Sequence, residues 1–134
     1  MALETTIEQI EGTIPITVVS LDGELDASNF EALIDTVRSL FDAGARQLLL
    51  DFSNLKFMAS SGLVALHSIV RIMHGEPPLD TEAGWSALHT AVGHMQTEVQ
   101  LCAPQPAIER VLARTGLDRM FIVHADRASA LAAR

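Results

Sequence analysis

Two spacings of apolar residues alternate along this chain, and that alternation restricts it to strands and helices laid in turn. Phe30, Leu33, Ile34, Val37, Leu40 and Phe41 share one face of a 3.6-residue period. Before them, Ile14, Ile16 and Val18 alternate with Pro15 and Thr17, the period of a half-buried strand. Pro15 confines that strand to an edge or places it at a strand start. Residues 5–10 read as an earlier, weaker strand, and 21–25 continue the extended chain with Gly23 as a bulge or bend. After the first helix, residues 47–52 are mostly apolar, as in a strand buried on both faces of a parallel sheet. Ser53-Asn54 is a turn signal.

The same alternation runs to the end. Ser60-Ser61-Gly62 opens a second helix with Leu63, Leu66, Ile69, Val70 and Met73 inward, and Gly75 and Pro77-Pro78 close it. Residues 99–103 alternate as a strand. Ile108, Val111 and Leu112 mark a third helix ending at Gly116, and residues 121–123 form a last strand. Asp126 caps a short terminal helix with Ala128 and Leu131 inward. For the first helix, Asp26 or Ser28 suits the N-cap, and Ser28 with Glu31 would complete a capping box. Gly44 stops that helix. Strands and helices in this order imply an α/β layer with crossover connections.

With 134 residues the chain is expected to form a single domain, 1–134, that buries about two thirds of its unfolded surface. Residues 75–97 exceed an ordinary connection. Trp85, Leu88, Val92 and Met95 recur at helical spacing there, so a helical insertion is expected. It can pack on the domain edge or serve as a partner-binding flap, and the sequence leaves both open.

Composition removes several function classes. Net charge is −8, Lys56 is the only lysine, and the arginines are scattered. No basic stripe offers itself to nucleic acid or to an anionic membrane. No apolar run is long enough to span a bilayer. The N-terminus lacks the basic start of a secretory signal, and lone Cys102 cannot form an internal disulfide, so a cytoplasmic location is expected. Phosphate-loop, zinc-protease, nucleophile-elbow and dinucleotide motifs are missing. His67, His74, His89, His94 and His124 have no metal-ligand spacing and read as isolated surface or half-buried histidines. No catalytic residue, metal or cofactor is expected. Asp22, Glu24 and Asp26 alternate on one strand face, as an acidic edge or partner surface.

The most informative segment is residues 57–63, Phe-Met-Ala-Ser-Ser-Gly-Leu. Two hydroxyls sit where an extended chain hands over to a helix. A serine there can cap the helix. The free N–H groups and the helix dipole also favour an anion, so a phosphate on that serine would leave the fold intact while changing the surface charge. Cap and switch both remain open on these residues alone.

Taken together, Leu21-Asp22-Gly23-Glu24-Leu25-Asp26, Leu50-Asp51-Phe52-Ser53, residues 57–63 and residues 111–121 resemble the successive signatures of the STAS domain, the fold of bacterial anti-sigma factor antagonists. The resemblance covers nearly the whole chain outside 75–97. It implies a mixed four- to five-stranded sheet with helices mainly on one face. It also implies a role in transcription regulation: binding an anti-sigma factor that is also a serine kinase, and release when that kinase phosphorylates a serine at a helix start. The acceptor position is Ser60, where the family usually places an Asp before it and this chain has Ala59. Partner contact would fall on Asp22, Asp26, Met58, Ala59, Ser61 and Gly62. The alternative implied by the family is a STAS scaffold, or a regulatory subunit of a signalling or transporter complex, acting by constitutive protein–protein binding.

Overall fold

The sheet is built around β-branched and leucine runs that are buried on both faces, and the helices follow from what those runs must cover. A computed structural model describes residues 2–76 and 96–133 of the chain. The strands are β1 (Leu3–Ile10), β2 (Ile16–Leu25), β3 (Leu48–Met58), β4 (Gln96–Cys102) and β5 (Phe121–His124). The helices are α1 (Phe30–Asp42), α2 (Ser60–Met73), α3 (Pro106–Thr115) and α4 (Arg127–Ala132), with a 3-10 turn at Leu117–Arg119. The strands form one sheet in the order β1-β2-β3-β4-β5. β1 runs antiparallel to β2, and the remaining neighbours pair in parallel. This is the mixed five-stranded sheet that the resemblance implied, and it fits the α/β layer read from the alternating periods.

Alternate residues of the strands divide the core. Val19, Leu21, Leu25, Leu48, Leu50, Phe52, Leu55, Val99 and Leu101 face α1, α2 and α3. Ile16, Val18, Leu49 and Cys102 face the other way and are covered by Ala130 and Leu131 of α4. Among the described residues, three helices therefore pack on one face and a single short one on the other. The helix α1 buries Leu33, Ile34 and Val37, with Phe30, Leu40 and Phe41 packed at the margin. Gly44 follows it at φ +114, a conformation that favours glycine. Gly116 ends α3 in the left-handed region.

Several local expectations are corrected. Ser53-Asn54 is no turn: β3 runs through it to Met58, and the irregularity appears as register shifts against β2 at Ser20/Asp22 and Gly23/Glu24. The Ser28–Glu31 capping box does not form. Asn29 is the N-cap of α1, and Ser28 turns back to Asp26. In α4 the buried residue is Ala130, while Ala128 is exposed. The Asp126 cap does form, accepting from Ser129 N at 2.7 Å. Trp85, Leu88, Val92 and Met95 of the expected insertion lie outside the described residues.

Candidate functional site at the start of α2

β2 and β3 end side by side, and the register there decides which residues meet. Leu25 pairs with Met58, and Ala59 N donates to Leu25 O at 2.8 Å. Ala59 remains extended (φ −77, ψ 174) and caps α2 without a side-chain bond. The backbone turns at once into the helix, with Gly62 N on Ala59 O at 2.9 Å. Ala59 offers no side-chain bond to the first N–H groups of α2, which stand at the positive end of the helix dipole beside exposed Ser60.

The two adjacent serines differ. Ser60 is exposed. Ser61 is half-buried, and its Oγ is inaccessible and has no hydrogen-bond partner. Gly62 is buried against Met58 and Leu25. A Cβ there would run into the Met58 side chain and lie 3.1 Å from Leu25 Cδ2. The start of α2 thus sits as low on the sheet as it does because residue 62 has no side chain.

Across from Ser60, the turn from β2 to α1 is tied by one residue that sequence reading missed. Asn29 Oδ1 accepts from Asp26 N at 2.9 Å, and Asn29 Nδ2 donates to Glu24 O at 2.8 Å. Asp26 accepts from Ser28 N at 2.9 Å and from Ser28 Oγ at 2.5 Å. The hydroxyl bond, then the backbone bond, hold the Asp26 carboxyl below its usual 3.8. An asparagine following an Asp-x-Ser step was the available signal, but Ser28 and Asp26 competed for the cap.

The expected residues come together unequally. Asp26, Met58, Ala59, Ser60, Ser61 and Gly62 all belong to the C-terminal ends of β2 and β3 and the turns that leave them. Asp22 pairs with Asn54, four residues before Met58 on β3, so it stands on the order of 10–13 Å down the sheet. The expected Asp22–Glu24–Asp26 row is broken, since Asp26 lies outside β2. Phe57, 47% exposed beside Met58, is an apolar surface residue that the sequence reading did not assign to the site. Glu24 lies opposite Phe57, and its Oε2 is buried without a partner.

Elsewhere among the described residues the titratable groups form no centre. Among the described residues no group of three histidines, cysteines or carboxylates could hold a metal. His74 meets Glu98 at 3.2 Å, and His124 meets Gln100 at 2.8 Å. His67 departs from the expected surface or half-buried histidine: it is 3% exposed within α2, and burial lowers its pKa. Cys102 is fully buried, and burial followed by the Asp51 charge pushes its thiol up to about 12. Among the described residues no helix is long and apolar enough to cross a membrane.

Known proteins share this fold. Residues 15–77, which run from the start of β2 past the end of α2, match the family model described as Mlab, STAS domain. No curated protein sequence matches the chain. Among solved structures, an anti-sigma factor antagonist from Mycobacterium paratuberculosis is 25% identical with a TM-score of 0.68, covering 98% of this chain and 93% of that one. An anti-sigma-factor antagonist (STAS) domain protein from Planctomyces limnophilus is 20% identical with a TM-score of 0.66, covering 95% of each. The Bacillus cell fate determinant SpoIIAA in its phosphorylated form is 19% identical with a TM-score of 0.58, covering 96% of this chain and all of that one. Over residues 15–77 the chain is thus similar to the STAS domain, and the described residues have the fold of these anti-sigma factor antagonists.

Proposed function

We propose that this protein is an anti-sigma factor antagonist. It binds an anti-sigma factor that is also a serine kinase, and phosphorylation of Ser60 releases it. One observation carries the reading: of two neighbouring serines at the start of α2, Ser60 alone is exposed, beside helix N–H groups that the N-cap residue Ala59 leaves without a side-chain bond. Ser60 Oγ can reach a kinase-bound nucleotide without unfolding the domain. The phosphate formed brings about −1.5 to −2 charges to the junction of β3 and α2. Asp26 stands across that junction, and the chain already carries −8. The added charge would repel an acidic partner surface and disturb a close contact on Phe57, Met58 and Ala59.

Constitutive binding without phosphorylation is the second reading, as in a STAS scaffold or a transporter's regulatory subunit. It is favoured by Ala59, which leaves no carboxylate immediately before Ser60.

Recovery of partners from the source cell, followed by kinase assay, separates the two. A captured protein with a GHKL-type kinase fold supports the first reading and a permease complex the second. Wild type, Ser60→Ala and Ala59→Asp are then incubated with that kinase and ATP and weighed intact. Phosphate on wild type but not on Ser60→Ala is expected. Binding that stays intact while neither wild type nor Ala59→Asp gains phosphate would leave constitutive binding.

A further inference from the structure

We infer that two copies of this chain associate through β1, edge to edge, with Ile7 of each copy on the two-fold axis. This interface lies on the edge strand beside β2, two strands from β3, and makes no use of Ser60. Among the described residues β1 pairs with β2 alone, so its outer edge presents a row of unpaired backbone groups. Edge strands are commonly protected by charged side chains, above all lysine, by proline, by a bulge or by very short length, and of these β1 has only Glu4 and Glu8. β1 has eight residues, Leu-Glu-Thr-Thr-Ile-Glu-Gln-Ile, with neither proline nor lysine, and its register with β2 is unbroken. Ile7 is 45% exposed at its centre.

The hydrogen-bond parity selects which residues can meet. Glu24 N donates to Ala2 O, so even-numbered residues of this segment turn their backbone groups toward β2. Leu3, Thr5, Ile7 and Gln9 therefore turn theirs outward. An antiparallel pair centred on Ile7 sets Ile7 opposite Ile7, and Thr5 opposite Gln9 on both sides. It forms about six backbone hydrogen bonds.

Charge selects the same register. Centred on Ile7, Glu4 faces Ile10 and Glu8 faces Thr6. A shift of two residues in one direction would set Glu4 against Glu8, and in the other Glu8 against Glu8; directly opposed like charges are destabilising. Glu8 is also held by Arg127 of its own α4 at 2.8 Å, which reduces its repulsion across the seam. The strand is thus complementary to itself in the register that buries its exposed isoleucine. A two-strand seam is small beside the 1,200–2,000 Å² of a stable interface, so the dimer forms in a concentration-dependent way.

Sedimentation of the full chain from micromolar to millimolar concentration tests this. Wild type should shift from monomer to dimer. Ile7→Lys, which places two cations face to face at an exposed position, should weaken association roughly five- to tenfold with an unchanged circular dichroism spectrum. Register is read by disulfide formation, since Cys102 is buried and unreactive. Ile7→Cys should cross-link to itself, and Thr5→Cys should cross-link to Gln9→Cys in a mixture but not to itself. A wild type that stays monomeric throughout, or Thr5→Cys cross-linking to itself as readily as Ile7→Cys, would overturn the inference.

Discussion

Gly62 lies directly against the Met58 side chain, with no room between them for a methyl group. This contact sets the height of Ser60 above the sheet, because Met58 ends β3 and Gly62 sits in the first turn of α2. Gly62→Ala would force either the buried Met58 or the whole start of α2 to move. The expected loss is about 1–3 kcal/mol, the range for overpacking, despite the better helix propensity of alanine. Urea denaturation measures it, and a change within about 0.5 kcal/mol would mean that Met58 repacks freely.

Asn29 is the corresponding anchor on the other side of the site. Asn29→Ala removes the bonds to Asp26 N and Glu24 O together. Stability should fall by about 1–3 kcal/mol, since each net hydrogen bond contributes roughly 0.5–1.5. Asn29→Asp keeps the acceptor for Asp26 N but loses the donor to Glu24 O, so it should fall between wild type and alanine in the same melts.

At the modification site, Ser60→Asp should weaken partner binding by about 1–3 kcal/mol, the scale for an unpaired charge near a desolvated contact. Aspartate carries less charge than phosphate, so the mimic should underreport the effect of modification. Ser60→Ala should bind like wild type. Titration calorimetry with the captured anti-sigma factor compares the three, and equal affinities for all would place Ser60 outside the interface.

Acidity should be felt through His67. Its pKa is lowered from 6.5 chiefly by burial and secondarily by the Arg71 charge, with Glu76 opposing. The unfolded chain therefore takes up a proton before the folded one does. Stability from the neutral imidazole is complete above about pH 6.5 and declines as pH falls from there toward the lowered folded value, by up to about 1.4 kcal/mol per pH unit. His67→Leu should flatten that part of the stability–pH curve. A variant with the wild-type slope between pH 7.5 and 5 would assign the decline to other groups.

The α1 stripe is the most direct case of sequence determining structure. Leu33 is 2% and Val37 0% exposed, as the 3.6 period required, and Leu33→Ala should cost on the order of 2–5 kcal/mol. Apolar spacing is enforced locally, because a helix or strand with its apolar face in water has nowhere stable to stand. The strand-and-helix order, the stops at Gly44 and Gly116, and the placing of Ser60 at a helix start all follow from such short-range rules. Pairing across the sheet does not. That β3 continues through Ser53-Asn54, that Asn29 instead of Ser28 ties the β2–α1 turn, and that Asp22 stands apart from Asp26 depend on the register of β2 against β3. Burial on every side of α2 is likewise a tertiary outcome. His67, read from the sequence as a surface or half-buried histidine, is 3% exposed in the folded chain. The difference between Ser60 and Ser61 has the same origin: the two residues are chemically identical and point about 100° apart on the helix, and the seating of α2 on the sheet leaves one outward and the other half-buried.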